Sequence, residues 1–322
     1  MTDYKLAKNY LKEDSLEKSP SRDGAGKALV ELGEKNKDVV VLSADTADST
    51  RAGWFEEKFP DRFIQCGVAE QNMVGVAAGL AYQDKVPFAV TYSAFLIGRP
   101  WEPIRTIIAY PDNHVVLLAT HVGLATGPDG PTHQMTEDLA LTTCLPGFTV
   151  IAPADAEQAR KAVKAAYNLQ GPVYIRVERE DTPVFTTDKT PFEVGKAQVL
   201  REGTDLTFAV HGHLVYTALK LAEELKNKVS IEVINVHTIK PLDEKTIVAS
   251  AKKTGKVFVA EDHNIIGGLG TAISQLLSEK HPVSVKVHGV QDEFAESGSA
   301  KELLKKYELD ASGVKKQILK YI

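Results

Sequence analysis

Along the chain, short β-branched runs alternate with segments of helical period. Asp38 to Ser43 (DVVVLS), Val86 to Thr91, His114 to Ala119, Phe148 to Ile151 and Pro172 to Val177 are apolar runs of strand length bounded by turn formers. Ala154 to Leu169 and Gln134 to Cys144 carry their apolar positions at helical spacing. Strands alternating with helices of this kind predict an α/β fold with a parallel sheet covered on both faces. Residues 181–195 (DTPVFTTDKTPFEVG) break the pattern with Pro183, Pro191 and several Thr/Asp turn formers, and read as an interdomain linker. A second α/β unit follows: strand Asp205 to Val210, helix Leu214 to Asn227, strand Ser230 to Val236, helix Leu242 to Lys253, strand Lys256 to Glu261 and strand Val283 to Val287. Charged, helical segments from Ser299 to Ile322 close the chain. The expected organisation is a polar surface arm over 1–20, a first domain over 21–180, the linker, and a smaller domain over 196–322.

Composition narrows the class. At 322 residues, and with about 150 residues per domain as a guide, roughly two domains are expected. With 43% hydrophobic and 25% charged residues the chain is neither disordered nor fibrous. Thirty-eight basic against forty-three acidic side chains leave a net charge of −5, which argues against a nucleic-acid partner. Cys66 and Cys144 are too few for a disulfide framework and fit a reducing compartment. The N-terminal residues lack a signal-peptide core, and no apolar run reaches the roughly 18 residues of a membrane span. A cytoplasmic enzyme without membrane or nucleic-acid partners is the expectation.

Several segments stand out chemically. Arg62 to Gly79 (RFIQCGVAEQNMVGVAAG) reads as strand, Gly67 turn and helix, with Glu70 at the turn among Val68, Ala69, Met73 and Val74. A carboxyl group in such apolar company has its charged form disfavoured, which suits acid/base work. The plainer alternative is a carboxylate satisfying free N–H groups at a helix start. Gly75 and Gly79 give that helix a small-residue face suited to close packing across a subunit interface. The loop Ala119 to Gln134 (ATHVGLATGPDGPTHQ) places His121, Asp129 and His133 on one glycine-rich connection, able to bind hydroxyls or shuttle protons. A metal site is disfavoured, because neither HExxH nor CxxC occurs. Phe95 and Trp101 lie at a strand-to-helix junction, where an aromatic ring either stacks on a flat heterocycle or joins the core. Arg179 follows the strand Pro172 to Val177, at the sheet end where α/β folds bind ligands; its fork suits a phosphate, and an ion pair with Glu178 or Glu180 is the alternative. Asn264 to Gly270 (NIIGGLG) resembles a phosphate cradle but lacks the Walker lysine, so tight packing at a helix start is the better reading.

Together these segments resemble the C-terminal half of a transketolase. Gly67-Val-Ala-Glu-Gln-Asn-Met73 resembles the family's motif around its cofactor-activating glutamate. Asp129-Gly-Pro-Thr-His-Gln134 resembles its substrate loop, and Ser43-Ala-Asp45, Ser49 and Ser93-Ala-Phe95 match in order. The resemblance implies a thiamine diphosphate pyrimidine-binding domain followed by the smaller transketolase C-terminal domain, with the cofactor bound between two chains. Glu70 matches the glutamate that hydrogen-bonds the aminopyrimidine and drives its imino tautomer. Phe95 matches the aromatic stacked on that ring, Trp101 stands where relatives carry Phe or Tyr, and Asp45 matches an aspartate lining the cofactor site. His121, Asp129 and His133 match residues around the sugar hydroxyls, with both histidines in catalytic roles; Ser49 and Arg179 match contacts at the substrate's phosphate end. Thr238-Ile-Lys-Pro-Leu-Asp243 and Gly267 to Gly270 look more like deoxyxylulose phosphate synthase or a 2-oxoacid dehydrogenase beta chain, which share the glutamate chemistry. The family's GDG segment, which holds the diphosphate through Mg²⁺, does not occur here. The resemblance therefore implies no metal ligand on this chain. It implies a partner N-terminal subunit carrying the diphosphate domain, an α2β2 assembly, and transfer of a two-carbon ketol unit between sugar phosphates.

Overall fold

The computed structural model describes residues 4–322, so the first three residues of the expected arm lie outside it. Strand β1 (Lys18–Ser19) pairs with β8 (Thr182–Pro183). The first domain contributes β2 (Val39–Ser43), β3 (Phe63–Gln65), β4 (Val86–Tyr92), β5 (Val116–Thr120), β6 (Thr149–Ile151) and β7 (Val173–Arg176). The second contributes β9 (Gln198–Arg201), β10 (Leu206–Val210), β11 (Ile231–Asn235), β12 (Thr238–Lys240), β13 (Lys256–Asn264) and β14 (Ser284–Val290). The larger sheet runs β12-β6-β7-β5-β4-β2-β3 and is parallel except for β12; the smaller runs β14-β13-β10-β11-β9 and is parallel except for β9.

The pleat explains the layering, because successive residues face opposite sides of a sheet. Along β2, Val39 and Val41 enter a core with Ala25, Leu29, Ala159 and Val163 from the helices Ser21–Lys35 and Ala156–Tyr167. Val40 and Leu42 enter the opposite core with Met73, Val74 and Ala77 of the helix Glu70–Ala81. A sheet buried on both sides needs the unbroken apolar runs seen in the sequence. The second core also takes in Ile234, Val236, Val257 and Leu269, so it continues into the second domain.

Three features depart from the sequence pattern. The helix expected from Gln134 starts only at Asp138 and ends at Thr143. Gln134 is buried, and its Nε2 donates to the carbonyls of Gly127 (3.2 Å) and Glu296 (3.1 Å), tying those first residues into a loop instead. Strand β12 leaves the second domain and extends the first sheet beside β6. The N-terminal arm is anchored: Leu6, Tyr10, Leu11 and Leu16 pack on the second domain's own core. Segment 181–195 is likewise held by Asp155, whose buried carboxylate accepts from the N–H groups of Phe185 (2.9 Å) and Thr186 (2.7 Å) while capping the helix Ala156–Tyr167. No helix among the described residues is long and apolar enough to cross a membrane.

Candidate active site

Glu70 opens its helix directly after β3 and a left-handed Gly67 (φ +71°). Its carboxylate is 3% exposed and accepts from Arg99 Nη1 at 2.7 Å. Arg99 and Phe95 both come from the segment after β4, and the guanidinium lies 4.2 Å from the Phe95 ring centroid. Phe95 stacks on Tyr92 (5.7 Å, 13°) and meets His133 edge-on (5.0 Å, 72°). Tyr92 in turn stacks on His121 (3.7 Å, 19°). A continuous row of side chains thus runs from Glu70 to His121 along the carboxyl ends of β4 and β5, where α/β sheets hold ligands.

Beyond His121 the site becomes cationic. Arg22 Nη1 donates to the Ser49 carbonyl (2.7 Å) and lies 3.4 Å from His121 Nε2. A guanidinium only donates, so Nε2 accepts and the ring proton sits on Nδ1, which donates to Thr120 Oγ1 at 2.8 Å. Burial, reinforced by Arg22, Arg179, His133 and Arg51, pushes the His121 pKa down to about 3, so this imidazole is neutral at physiological pH. Arg179 Nη1 donates to Asp129 Oδ2 (3.1 Å) and to the Thr126 carbonyl (3.2 Å), with Glu180 at 3.4 Å.

A buried polar network stands behind this row. Ser93, which starts the short helix carrying Phe95, hydrogen-bonds Tyr174 Oη (2.8 Å). Tyr174 donates to Asp138 Oδ2 (2.6 Å), as does Arg176 Nε (2.9 Å). These bonds, which converge on Asp138 Oδ2, tie the helix bearing Phe95 to β7. Sequence reading passed over Arg22, Tyr92, Arg99, Tyr174 and Asp138. Arg99 lies between Phe95 and Trp101 and Tyr92 directly precedes Ser93, close to residues already singled out, whereas only the chain's path brings Arg22 to His121.

The remaining expected site residues divide. Asp45 is exposed in a left-handed conformation (φ +59°) at the end of β2. Its N–H donates to Gln65 Oε1 (2.7 Å), which also accepts from Gly67 N–H (3.2 Å), so it neighbours the loop leading to Glu70. Ser49 enters through its carbonyl on Arg22, and its hydroxyl donates to the Thr46 carbonyl (3.2 Å). Trp101 is half-buried, with its ring against the core and its Nε1–H donating to the Leu141 carbonyl (2.9 Å). The glycine turn 267–270 cradles the protein's own carboxylate, with Leu269 and Gly270 N–H donating to Glu261 (2.7 and 3.0 Å). A Cβ at Gly268 would meet Glu261 Oε2 at 2.0 Å, so the turn is filled.

Residues 17–184 match the family model of the transketolase pyrimidine binding domain, and residues 195–314 that of the transketolase C-terminal domain. The chain belongs to the transketolase family, and it spans nearly the whole length of relatives named as a C-terminal section or as single transketolase subunits. It is 42% identical to a putative transketolase C-terminal section of Methanocaldococcus jannaschii, covering 92% of this chain and 95% of that one. It is 36% identical to a subunit of an apulose-4-phosphate transketolase from Phocaeicola vulgatus, covering 91% and 95%. A solved structure described as a split gene transketolase, an inactive beta4 tetramer, superimposes with a TM-score of 0.85 at 43% identity, over 94% of this chain and 97% of that one.

The family implies thiamine diphosphate, and the residues present fit its pyrimidine end. Arg99 already demonstrates that a flat, nitrogen-bearing group can stack on Phe95 and donate to Glu70 at once. Among the described residues no cluster of His, Cys, Asp or Glu is arranged to hold a metal ion.

Proposed function

We propose that this chain is the C-terminal subunit of a split transketolase, moving a two-carbon ketol unit from a ketose phosphate to an aldose phosphate. The observation that carries this reading is the row running from buried Glu70 through Phe95 to His121 and then to Arg22 and Arg179. Bound thiamine diphosphate supplies the carbanion chemistry, as cofactors generally do, and the protein supplies position and electrostatics. Glu70 would hold the pyrimidine by a proton shared with its carboxylate, and Phe95 would support the ring face. Asp45 lines the rim on the cofactor side. With Arg22 turned to the substrate phosphate, neutral His121 Nε2 would accept a hydrogen bond from a sugar hydroxyl and polarise it as the sugar's C–C bond breaks and forms, and His133 and Asp129 would face the same hydroxyls. Arg179, with Ser49 and Arg22, receives the substrate phosphate.

The diphosphate and Mg²⁺ require a partner N-terminal subunit, in an α2β2 assembly. The split-gene relative described as an inactive beta4 tetramer supports the need for that partner. The outward face of the helix Glu70–Ala81 supports a contact there, because nothing lies within 4 Å of where a Cβ on Gly75 or Gly79 would sit, and Val68 just before it is 70% exposed. One relative is named for apulose 4-phosphate, so a panel of sugar phosphates is the appropriate assay. Mixing the chain with its partner, thiamine diphosphate and Mg²⁺ should give ketol transfer between at least one ketose phosphate and one aldose phosphate. Pyruvate decarboxylation without ketol transfer would contradict the proposal.

A further inference from the structure

The second domain supplies none of the side chains in the row from Glu70 to Arg179, yet it grips the cationic end of that row at two points. At the first, Glu178 is buried between the domains, immediately before Arg179. Its Oε1 accepts from His213 N–H (3.2 Å) and lies 3.0 Å from His213 Nδ1, at the start of the helix Leu214–Glu224. Its peptide unit reaches the other way: Glu178 N–H donates to Ser21 Oγ (2.7 Å), and its carbonyl accepts from Arg22 N–H (3.2 Å). Glu178 thus joins the second domain to both arginines beside His121. The approach depends on Gly212, which is left-handed (φ +60°) and whose Cβ would meet Glu178 Oε1 at 2.8 Å.

At the second point, Asp262 at the end of β13 accepts from Leu124 N–H (2.9 Å) in the loop that follows His121. Gly123 is left-handed there, and a Cβ on it would meet Asp262 Oδ2 at 2.2 Å. The Asp262 carbonyl also accepts from Arg176 Nη2 (2.6 Å) on the strand leading to Arg179.

We propose that the Glu178–His213 pair is a positioning device through which the second domain sets Arg22 and Arg179 at the phosphate end of the sugar substrate. Neither residue touches substrate; each acts through the two arginines. Glu178's carboxyl is held below its ordinary range and the His213 imidazole above its own, because their mutual attraction outweighs burial, so each group's charged form is favoured by the other. A buried pair of this kind contributes little net stability compared with apolar packing, and geometric specification is a role that fits its cost. This inference rests on the reading of the site as a sugar-phosphate transferase.

The test uses the full chain reconstituted with its partner, thiamine diphosphate and Mg²⁺. Glu178→Gln and, separately, His213→Gln should raise KM for a ketose phosphate donor about ten-fold, equivalent to about 1.4 kcal/mol. Both kcat and the KM for hydroxypyruvate, a ketol donor without phosphate, should stay as in the unmodified enzyme. Equal losses with both donors, or no change with either, would overturn the proposal. Amide hydrogen exchange on the same variants supplies a readout independent of activity. Faster exchange confined to residues 19–23 and 177–182 supports positioning; unchanged exchange there, or a rise across the whole chain, refutes it. If the unmodified enzyme transfers no ketol unit, the functional reading fails, while the exchange data still decide whether the pair holds the two arginines.

Discussion

Glu70 is the residue on which the site turns. A carboxylate that is 3% exposed and paired with a half-exposed arginine is placed to exchange that partner for a flat, hydrogen-bonding ring. Glu70→Gln keeps the size and removes the group that shares the proton. It should lower ketol transfer by at least about a hundred-fold while association with the partner subunit is retained, as measured by steady-state assay and by sedimentation. Full activity in that variant would remove Glu70 from the mechanism. The neighbourhood was legible in the sequence, since Glu70, Phe95, His121, His133 and Arg179 lie in segments singled out for their chemistry and the structure brings those segments together at the carboxyl ends of the first sheet. Trp101's hold on the core was not legible, since its partner is the Leu141 carbonyl forty residues downstream. Arg22 was invisible for a related reason, since its neighbour His121 is ninety-nine residues away in sequence.

At the scale of elements, the chain's periodicities located most of the strands because a doubly covered sheet imposes continuous apolar runs, as in VVVL of β2 and VLLA of β5. Two of the four edge strands of the larger sheets, β9 and β12, escaped at only four and three residues long, whereas β3 and β14 were read as strands. The glycine turn before the helix Leu269–Lys280 shows why a motif needs its context. Its donors point at Glu261, a carboxyl pushed up to about 7 by burial that outweighs those two hydrogen bonds. The sign of the resulting pH effect is fixed. A carboxyl whose pKa is raised in the folded state binds more protons than in the unfolded chain between about 4.5 and about 7, so its contribution to stability is lost as pH rises through that window. Glu261→Gln should remove that slope, on the order of 2 kcal/mol across the window, as read from the difference between variant and parent in urea unfolding at pH 5 and pH 7.5. Parallel pH dependence in the two proteins would show that Glu261 ionises as an ordinary surface carboxyl does.

For the whole molecule, the two domains share one apolar core and the second domain adds β12 to the first sheet, so they form a single structural unit rather than beads on a linker. That unit presents the row from Glu70 through Phe95 to His121 with Arg22 and Arg179 at its cationic end, and among its described residues no arrangement of ligands for a metal ion. Complementation by a second chain is the central prediction. The most direct measurement compares ketol transfer, from a ketose phosphate to an aldose phosphate with thiamine diphosphate and Mg²⁺ present, in three samples: this chain alone, its partner alone, and the two mixed. Transfer should appear only in the mixture. Transfer by this chain alone would contradict the account, as would a mixture that forms a stable complex and transfers nothing.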